Sequence, residues 1–559
     1  MDDVDVLVVG GGINGAGIAR DLAGRGLRVL LCEQHDLAAH TSSASTKLIH
    51  GGLRYLEQYK FRLVQKALAE RERLLKSAPH IMRPLRFVMP HDPSMRPVWM
   101  IRIGLFLYDH LARREWLPAS CTVRLREHVA GQPLKAQFTH GFVYSDGWVD
   151  DARLVVLNAI DAAERGAEVV TRCVCTSTQR QPGASAQRQP GASAQRQAGV
   201  GDAAGHWLVH LQPEGAPPRS VRARALVNAA GPWAAEFLRD KVQARSARAL
   251  RLVKGSHVVV PSLFEHDMAY IFQNPDGRII FAIPYEGRFT LIGTTDVEVH
   301  DAPGQARIDA DEIAYLCEQA SRYFAKPVQP ADVVWSYSGV RPLLDDEAGN
   351  ASAVTRDYLL EFDDGGDADG SGVGGGEDSS PAPLLTVWGG KITTFRKLAE
   401  EAADALVQRL GQGAAAWTET ALLPGADLSR WIGPPKRPDR DIARFIAALI
   451  AQHPHIEPAL LTRWARAYGA RVQIMLDQLA VADPSVNPSA NPAVNPAVDL
   501  SPGSDVLGRA VAPGLYQIEL NYLRQHEWAR SADDVLWRRS KLGLHLSPGQ
   551  REQVARWWG

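Results

Sequence analysis

Gly10, Gly12 and Gly15 fall at the G-x-G-x-x-G spacing, directly after the apolar run Val4–Val9 and directly before a helix-like run. That setting is the one in which the triplet binds a dinucleotide pyrophosphate. Gly10 permits the tight turn, Gly12 lets the backbone approach the phosphates, and Gly15 lets the helix press against the strand. The helix N-terminus then offers the phosphates N–H groups and the positive end of its dipole, so no lysine is needed. The next apolar run, Arg28–Cys32, ends in Glu33, where a carboxylate is expected to hold adenosine ribose hydroxyls. A glycine triplet alone is a plain turn; with strand, helix and Glu33 it reads as a nucleotide site, without separating NAD from FAD.

The first 50 residues therefore read as a βαβ start. A second sheet-like region spans about 250–340, with alternating stretches at His257–Val260, Ile279–Ile283 and Thr290–Gly293. After Gly390 the period becomes helical: Ile392, Phe395, Ala399, Ala402, Leu406 and Leu410 share one face, and the runs 440–452, 458–480, 515–530 and 531–543 are helix-like as well. Three segments look inserted. Residues 179–194 repeat the octamer QRQPGASA, and 363–383 and 482–505 are poor in large apolar residues, which predicts flexible linkers.

With 559 residues the chain has room for more than one core. Lys+Arg 62 against Asp+Glu 63 gives no global field that would favour nucleic acid. Five cysteines without a CxxC pair argue against a disulfide framework or a zinc site, and no metal site is expected. Asp2, Asp3 and Asp5 stand where a signal peptide would be basic, so export is not expected. The most apolar stretch, Val98–Leu111, is interrupted by Arg102 and Asp109 and falls short of a membrane span. As a helix it puts Ile103, Phe106, Leu107, His110 and Leu111 on one face; packing into a core is the plainer expectation, and lying on lipid the alternative.

The stretch Thr41–Leu56, TSSASTKLIHGGLRYL, closely resembles the flavin-proximal signature of the bacterial aerobic glycerol-3-phosphate dehydrogenases. Similar matches follow in order at Trp99–His110, Tyr144–Arg153, Val227–Trp233, Lys254–Val260, Ile292–Asp296, Trp335–Pro342, Thr355–Tyr358, Gly389–Leu398 and Glu527–Arg539, nearly the whole chain outside the inserts. The resemblance implies an α/β flavoprotein of the D-amino-acid-oxidase type: a Rossmann-like FAD-binding domain, an interleaved antiparallel-sheet substrate domain and an all-α C-terminal cap. The boundaries expected are 1–85, 145–235 and 335–410 for the first, 86–144 and 236–334 for the second, and 411–559 for the third, with flexible insertions at 179–200, 363–383 and 482–505. It further implies oxidation of sn-glycerol 3-phosphate to dihydroxyacetone phosphate, ubiquinone as acceptor, a homodimer, and a peripheral hold on the cytoplasmic face of the inner membrane.

Oxidising a secondary alcohol needs an acceptor for the hydride from C2 and a base for the hydroxyl proton. A phosphate dianion in addition suits guanidinium groups, which bind oxyanions bidentately. The resemblance puts Arg54, Arg341 and Arg356 around the substrate: Arg54 and Arg356 as phosphate clamps with Tyr55 adding a hydroxyl, and Arg341 nearer the reacting oxygen. Surface ion pairing is the plain alternative for each. His257, in Lys254-Gly255-Ser256-His257, is the favoured base, because a neutral imidazole accepts a proton near physiological pH. His50, the competing histidine, is read as a packing or flavin-contacting residue. Lys391 sits at the start of a helical run, where a negative charge is normally preferred, and an anionic reduced flavin would account for it; it is also a candidate to lower the substrate hydroxyl's pKa. The remaining cofactor-contacting candidates are Asn14, Ser42, Ser45, Lys47, Gly51, Gly390, Gly231 in the turn closing Ala223–Gly231, and Thr295, which could equally be a turn residue. Thr46 stands where the family often has serine, keeping the hydroxyl. The rival readings are a glycerol-3-phosphate oxidase that uses O2, and a flavin-free binding or scaffold protein that kept the fold.

Overall fold

The computed structural model describes residues 2–93, 95–183, 205–244, 248, 250–299, 302–344, 357–364, 381–482 and 507–559. The three inserted segments lie outside the described residues except at their edges; Gln179–Gln181 complete the strand Cys173–Gln181. The chain divides into two compact units, one of residues 1–39, 161–253 and 341–419, the other of 40–160, 254–340 and 420–559.

The first unit is built on an eight-stranded sheet. Its parallel centre runs Leu384–Trp388, Arg219–Asn228, Asp2–Val9, Val29–Cys32, Glu168–Val170, with antiparallel strands at the Leu359–Asp363 side and a hairpin, Cys173–Gln181 with His206–Pro213, joined to Arg219–Asn228. The expected βαβ start is present: the strand Asp2–Val9, the helix Ile13–Gly24, then Val29–Cys32. Central strands buried on both faces need continuous apolar sequence, which VLVV and VLLC supply. The helix Phe395–Leu410 packs on Ile13–Gly24, where a Cβ at Gly17 would lie 3.0 Å from the Phe395 ring. That helix starts at Phe395 after a 3-10 turn, Ile392–Thr394, so Lys391 precedes it by a full turn.

The second unit holds a ten-stranded mixed sheet. The alternating stretches seen in the sequence are its strands Leu250–Pro261, Ile279–Tyr285 and Phe289–Gly293. Alternation decides what each residue touches. Val258 and Val260 face the helix Ala310–Tyr323 and pack with Leu316 and Ala320, whereas Val259 points to the other face, among Leu291, Ile283 and Leu105. Behind the sheet residues in sequence comes a helical group, Pro438–Gln452, Pro458–Tyr468, Val472–Ala482, Gln517–His526 and Pro548–Trp558, with its own core around Phe445, Trp464 and Leu520. The run expected as one helix over 458–480 is broken at Gly469, which has φ 54° and whose Cβ would come within 2.0 Å of the Gly425 carbonyl oxygen.

The helix Val98–His110 does not follow the core expectation. It buries Leu105 and Tyr108 and leaves Trp99 62%, Ile103 53% and Phe106 57% exposed. No helix among the described residues is long and apolar enough to cross a membrane.

Candidate functional site

In the first unit the glycine turn forms a cradle that only glycine tolerates. Gly10 has φ 112°, and a Cβ there would lie 2.5 Å from the Ala229 carbonyl oxygen; one at Gly15 would lie 1.9 Å from that of Gly10. Gly12 is the N-cap of Ile13–Gly24, with no side-chain cap and no acidic residue in the first turn, which leaves the positive end of the dipole uncompensated. Glu33 closes the cradle: one carboxylate oxygen accepts the Gly11 N–H at 2.6 Å and the other the His35 N–H at 2.7 Å. Burial pushes the Glu33 carboxyl above its usual range, against the pull of these two N–H groups.

Two further strand ends converge on this turn. After Arg219–Asn228, the buried Asn228 donates its amide to the Ala234 carbonyl at 2.9 Å, and Gly231, at φ 58°, has open space where a side chain would be. After Leu384–Trp388, Gly389 accepts the Asn14 amide at 3.1 Å, and a Cβ at Gly390 would collide with Asn14 Nδ2 at 2.9 Å. Asn14 Oδ1 is buried with no protein partner. An acceptor left over inside a turn of this kind asks for a donor from a bound group. Lys391, half-buried, follows this glycine pair, and Arg341 is half-buried within the strand Trp335–Leu344. Together the uncapped helix start, the glycine cradle and the orphaned amide oxygen suit a dinucleotide such as FAD.

In the second unit the loop carrying Ser42, Ser45, Thr46 and Lys47 is fastened to Asp151, the first residue of the helix Asp151–Glu164. Ser45 Oγ donates to one Asp151 oxygen at 2.7 Å and Lys47 Nζ to the other at 2.8 Å, with the Lys47 and Asp151 side chains 1% and 0% exposed. Lys47 also donates to the Ser43 carbonyl at 3.0 Å and takes φ 61°. Ser42 lies half-buried in the 3-10 turn Thr41–Ser43. Ser45 and Lys47 thus tie this loop to the start of the helix Asp151–Glu164.

His50 is half-buried at the entry to the HGG turn. The Gly51 N–H donates to the Tyr108 hydroxyl at 2.8 Å, which itself donates to Asp146 at 2.8 Å, and Asp146 pairs with Arg71 at 2.8 Å. Burial raises the Asp146 carboxyl, with Arg71 opposing. Gly52 has φ 73°, and any Cβ would strike the Tyr55 ring at 2.3 Å. Arg54 and Tyr55 follow in the 3-10 turn Leu53–Leu56; the Arg54 side chain and all of Arg356 lie outside the described residues.

His257 is 1% exposed and tightly boxed. It lies opposite Gly293 in register, and a Cβ at Gly293 would be 2.1 Å from His257 Cδ2. Its ring stacks on Tyr337 at 4.8 Å and 15°, and its Nε2 lies 3.0 Å from Thr46 Oγ1. A buried imidazole with a hydroxyl at hydrogen-bond distance has the geometry that proton transfer to or from oxygen requires. The Tyr337 hydroxyl donates to the Ser45 carbonyl at 2.8 Å, Lys47 Nζ lies 5.1 Å from the Tyr337 ring centroid, and burial holds the phenol well above its usual range. Thr295 is 1% exposed, accepting the Ser256 N–H at 2.9 Å and donating to Glu312 at 2.6 Å. Sequence reasoning missed Tyr337, Asp151 and Glu312. Tyr337 and Asp151 lie inside segments already matched by resemblance, and Glu312 had a local signal in the D-x-x-E capping pattern with Asp309.

The family model described as DAO, FAD dependent oxidoreductase, matches residues 5–378. Among curated proteins, a glycerol-3-phosphate dehydrogenase of Pseudomonas aeruginosa is 48% identical over 99% of this chain and 94% of its own length. A D-erythritol 1-phosphate dehydrogenase of Brucella abortus is 43% identical over 99% of this chain and 97% of its own. Among solved structures, a glycerol-3-phosphate dehydrogenase from Bacillus halodurans complexed with FAD shares the fold at TM-score 0.69 and 24% identity, covering 100% of this chain and 90% of that one. A glycine cradle built for a dinucleotide, inside a match that spans most of the sequence, leads to one assignment: the chain belongs to the DAO family of FAD dependent oxidoreductases.

Proposed function

We propose that the protein oxidises sn-glycerol 3-phosphate to dihydroxyacetone phosphate. The observation that carries this reading is the full-length 48% identity to a protein named glycerol-3-phosphate dehydrogenase. FAD, when bound in the glycine cradle, supplies the two-electron acceptor for the alcohol. His257 takes the hydroxyl proton, the substrate oxygen reaching the imidazole in the place that Thr46 Oγ1 now holds at Nε2. Tyr337 and Gly293 keep the ring from turning away. Arg54 and Arg356 clamp the phosphate with Tyr55 beside them, Arg341 serves the reacting oxygen, and Lys391 contributes positive charge near the electron acceptor.

Electrons then pass to ubiquinone, and the protein works as a homodimer held peripherally on the cytoplasmic face of the inner membrane. The exposed Trp99, Ile103 and Phe106 on Val98–His110 favour that hold, since an amphipathic helix with an aromatic apolar face and an Arg102 on its length suits a lipid interface.

Anaerobic titration of the yellow holoenzyme tests the reading. Loss of colour is expected with sn-glycerol 3-phosphate and not with glycerol or lactate. Bleaching by D-erythritol 1-phosphate in preference would move the substrate to the longer polyol phosphate. Turnover that releases peroxide in air and gains nothing from a quinone analogue would replace the quinone by O2.

A further inference from the structure

Strand alternation puts His257 and Ser256 on opposite faces of Leu250–Pro261, so whatever holds Ser256 acts on His257 from behind the sheet. The holder is Glu312, 5% exposed, in the first turn of the helix Ala310–Tyr323. Its Oε1 accepts the Ser256 hydroxyl at 3.0 Å and the Thr295 hydroxyl at 2.6 Å, while its Oε2 lies 2.8 Å from Lys254 Nζ and accepts the Asp309 N–H at 3.2 Å. A capping box requires only the last of these. The two hydroxyl contacts lead to walls of the histidine's enclosure. Ser256 precedes His257 in its own strand. Thr295 lies two residues after Gly293, the floor under the ring. Ser256 Oγ is also 2.8 Å from Ser338 Oγ, and Ser338 adjoins Tyr337, which stacks on the ring.

We infer that Glu312 is a positioning residue for the oxidation, fixing through Ser256, Thr295 and Ser338 the strand, floor and stacking wall that hold the His257 imidazole. The inference rests on His257 acting as the base. One carboxylate that gathers two hydroxyls and an ammonium in a buried site fixes their mutual geometry, because any of these groups left unpaired there would be costly. A base displaced by a fraction of an ångström loses rate while the binding groups for the phosphate are untouched.

The test is a double-mutant cycle on the holoenzyme, read as the limiting rate of anaerobic bleaching by sn-glycerol 3-phosphate. Glu312→Gln is expected to slow that rate about tenfold, with KM and FAD content held within about twofold, and to slow it no further in a His257→Ala background. If Glu312→Gln does not yield folded holoenzyme, Ser256→Ala replaces it in the same cycle with the same expectation. Bleaching at the wild-type rate in the Glu312 or substitute variant, or an equal loss in both backgrounds, overturns the positioning role while His257→Ala stays slow. Wild-type bleaching by His257→Ala itself removes the base reading, and the inference with it.

Discussion

Gly293→Ala places one methyl group against the proposed base. A Cβ on the existing backbone would stand 2.1 Å from His257 Cδ2, 2.7 Å from Cγ and 2.8 Å from Nε2. Ordinary carbon contacts begin near 3.5 Å, so the ring must retreat by about an ångström or more. Its freedom is small, with Tyr337 stacked at 4.8 Å and Thr46 at 3.0 Å from Nε2. Displacement on that scale predicts a loss of about a hundredfold in the limiting rate of anaerobic flavin bleaching, together with roughly 1–3 kcal/mol of lost stability from overpacking. FAD content should be unchanged, because the substitution leaves the Gly10–Gly15 turn as it is. Stopped-flow bleaching with sn-glycerol 3-phosphate, beside a thermal melt, is the assay. A folded, yellow Gly293→Ala protein that bleaches at the wild-type rate refutes the argument that this imidazole must stay where it is held.

Gly15→Ala, whose Cβ would lie 1.9 Å from the Gly10 carbonyl oxygen, is expected to yield protein lacking FAD, measured by its visible absorbance. Asp151→Asn removes the carboxylate that pairs with the buried Lys47, a loss of roughly 3–5 kcal/mol, visible as a lowered urea midpoint; an unchanged midpoint would deny the pair its role. Arg54→Ala should raise KM for glycerol 3-phosphate while FAD stays bound, and an unchanged KM would remove Arg54 from the phosphate clamp. Trp99→Glu with Phe106→Glu should abolish sedimentation with anionic phospholipid vesicles without slowing bleaching, since both side chains are more than half exposed.

Much of the nucleotide half was legible because its signals are local. The glycine spacing, the apolar runs either side and Glu33 specify a turn, a helix start and a carboxylate within a short stretch, and the structure has them in that order. The histidine half was legible only as a resemblance. Lys47 and Ser45 stand out by their place in a signature, but nothing local to that signature says that their side chains also reach Asp151, more than a hundred residues away. The face of Val98–His110 is apolar by spacing, and spacing does not say whether anything covers it. Gly469 sat inside a run of good helical period whose end was decided by the close approach of Gly425.

Taken alone, the amino-acid order determined the local menu: which segments alternate with period two, which follow the helical period, where only glycine permits the turn, and through those the presence of a dinucleotide turn, though not whether it takes NAD or FAD. Only the tertiary structure decided the partners of His257. Thr46, Gly293, Tyr337 and, behind the strand, Glu312 come from four separate segments. Periodicity records which side of an element is apolar; it carries no record of which distant side chain will meet it, because that meeting follows from packing the folded elements together.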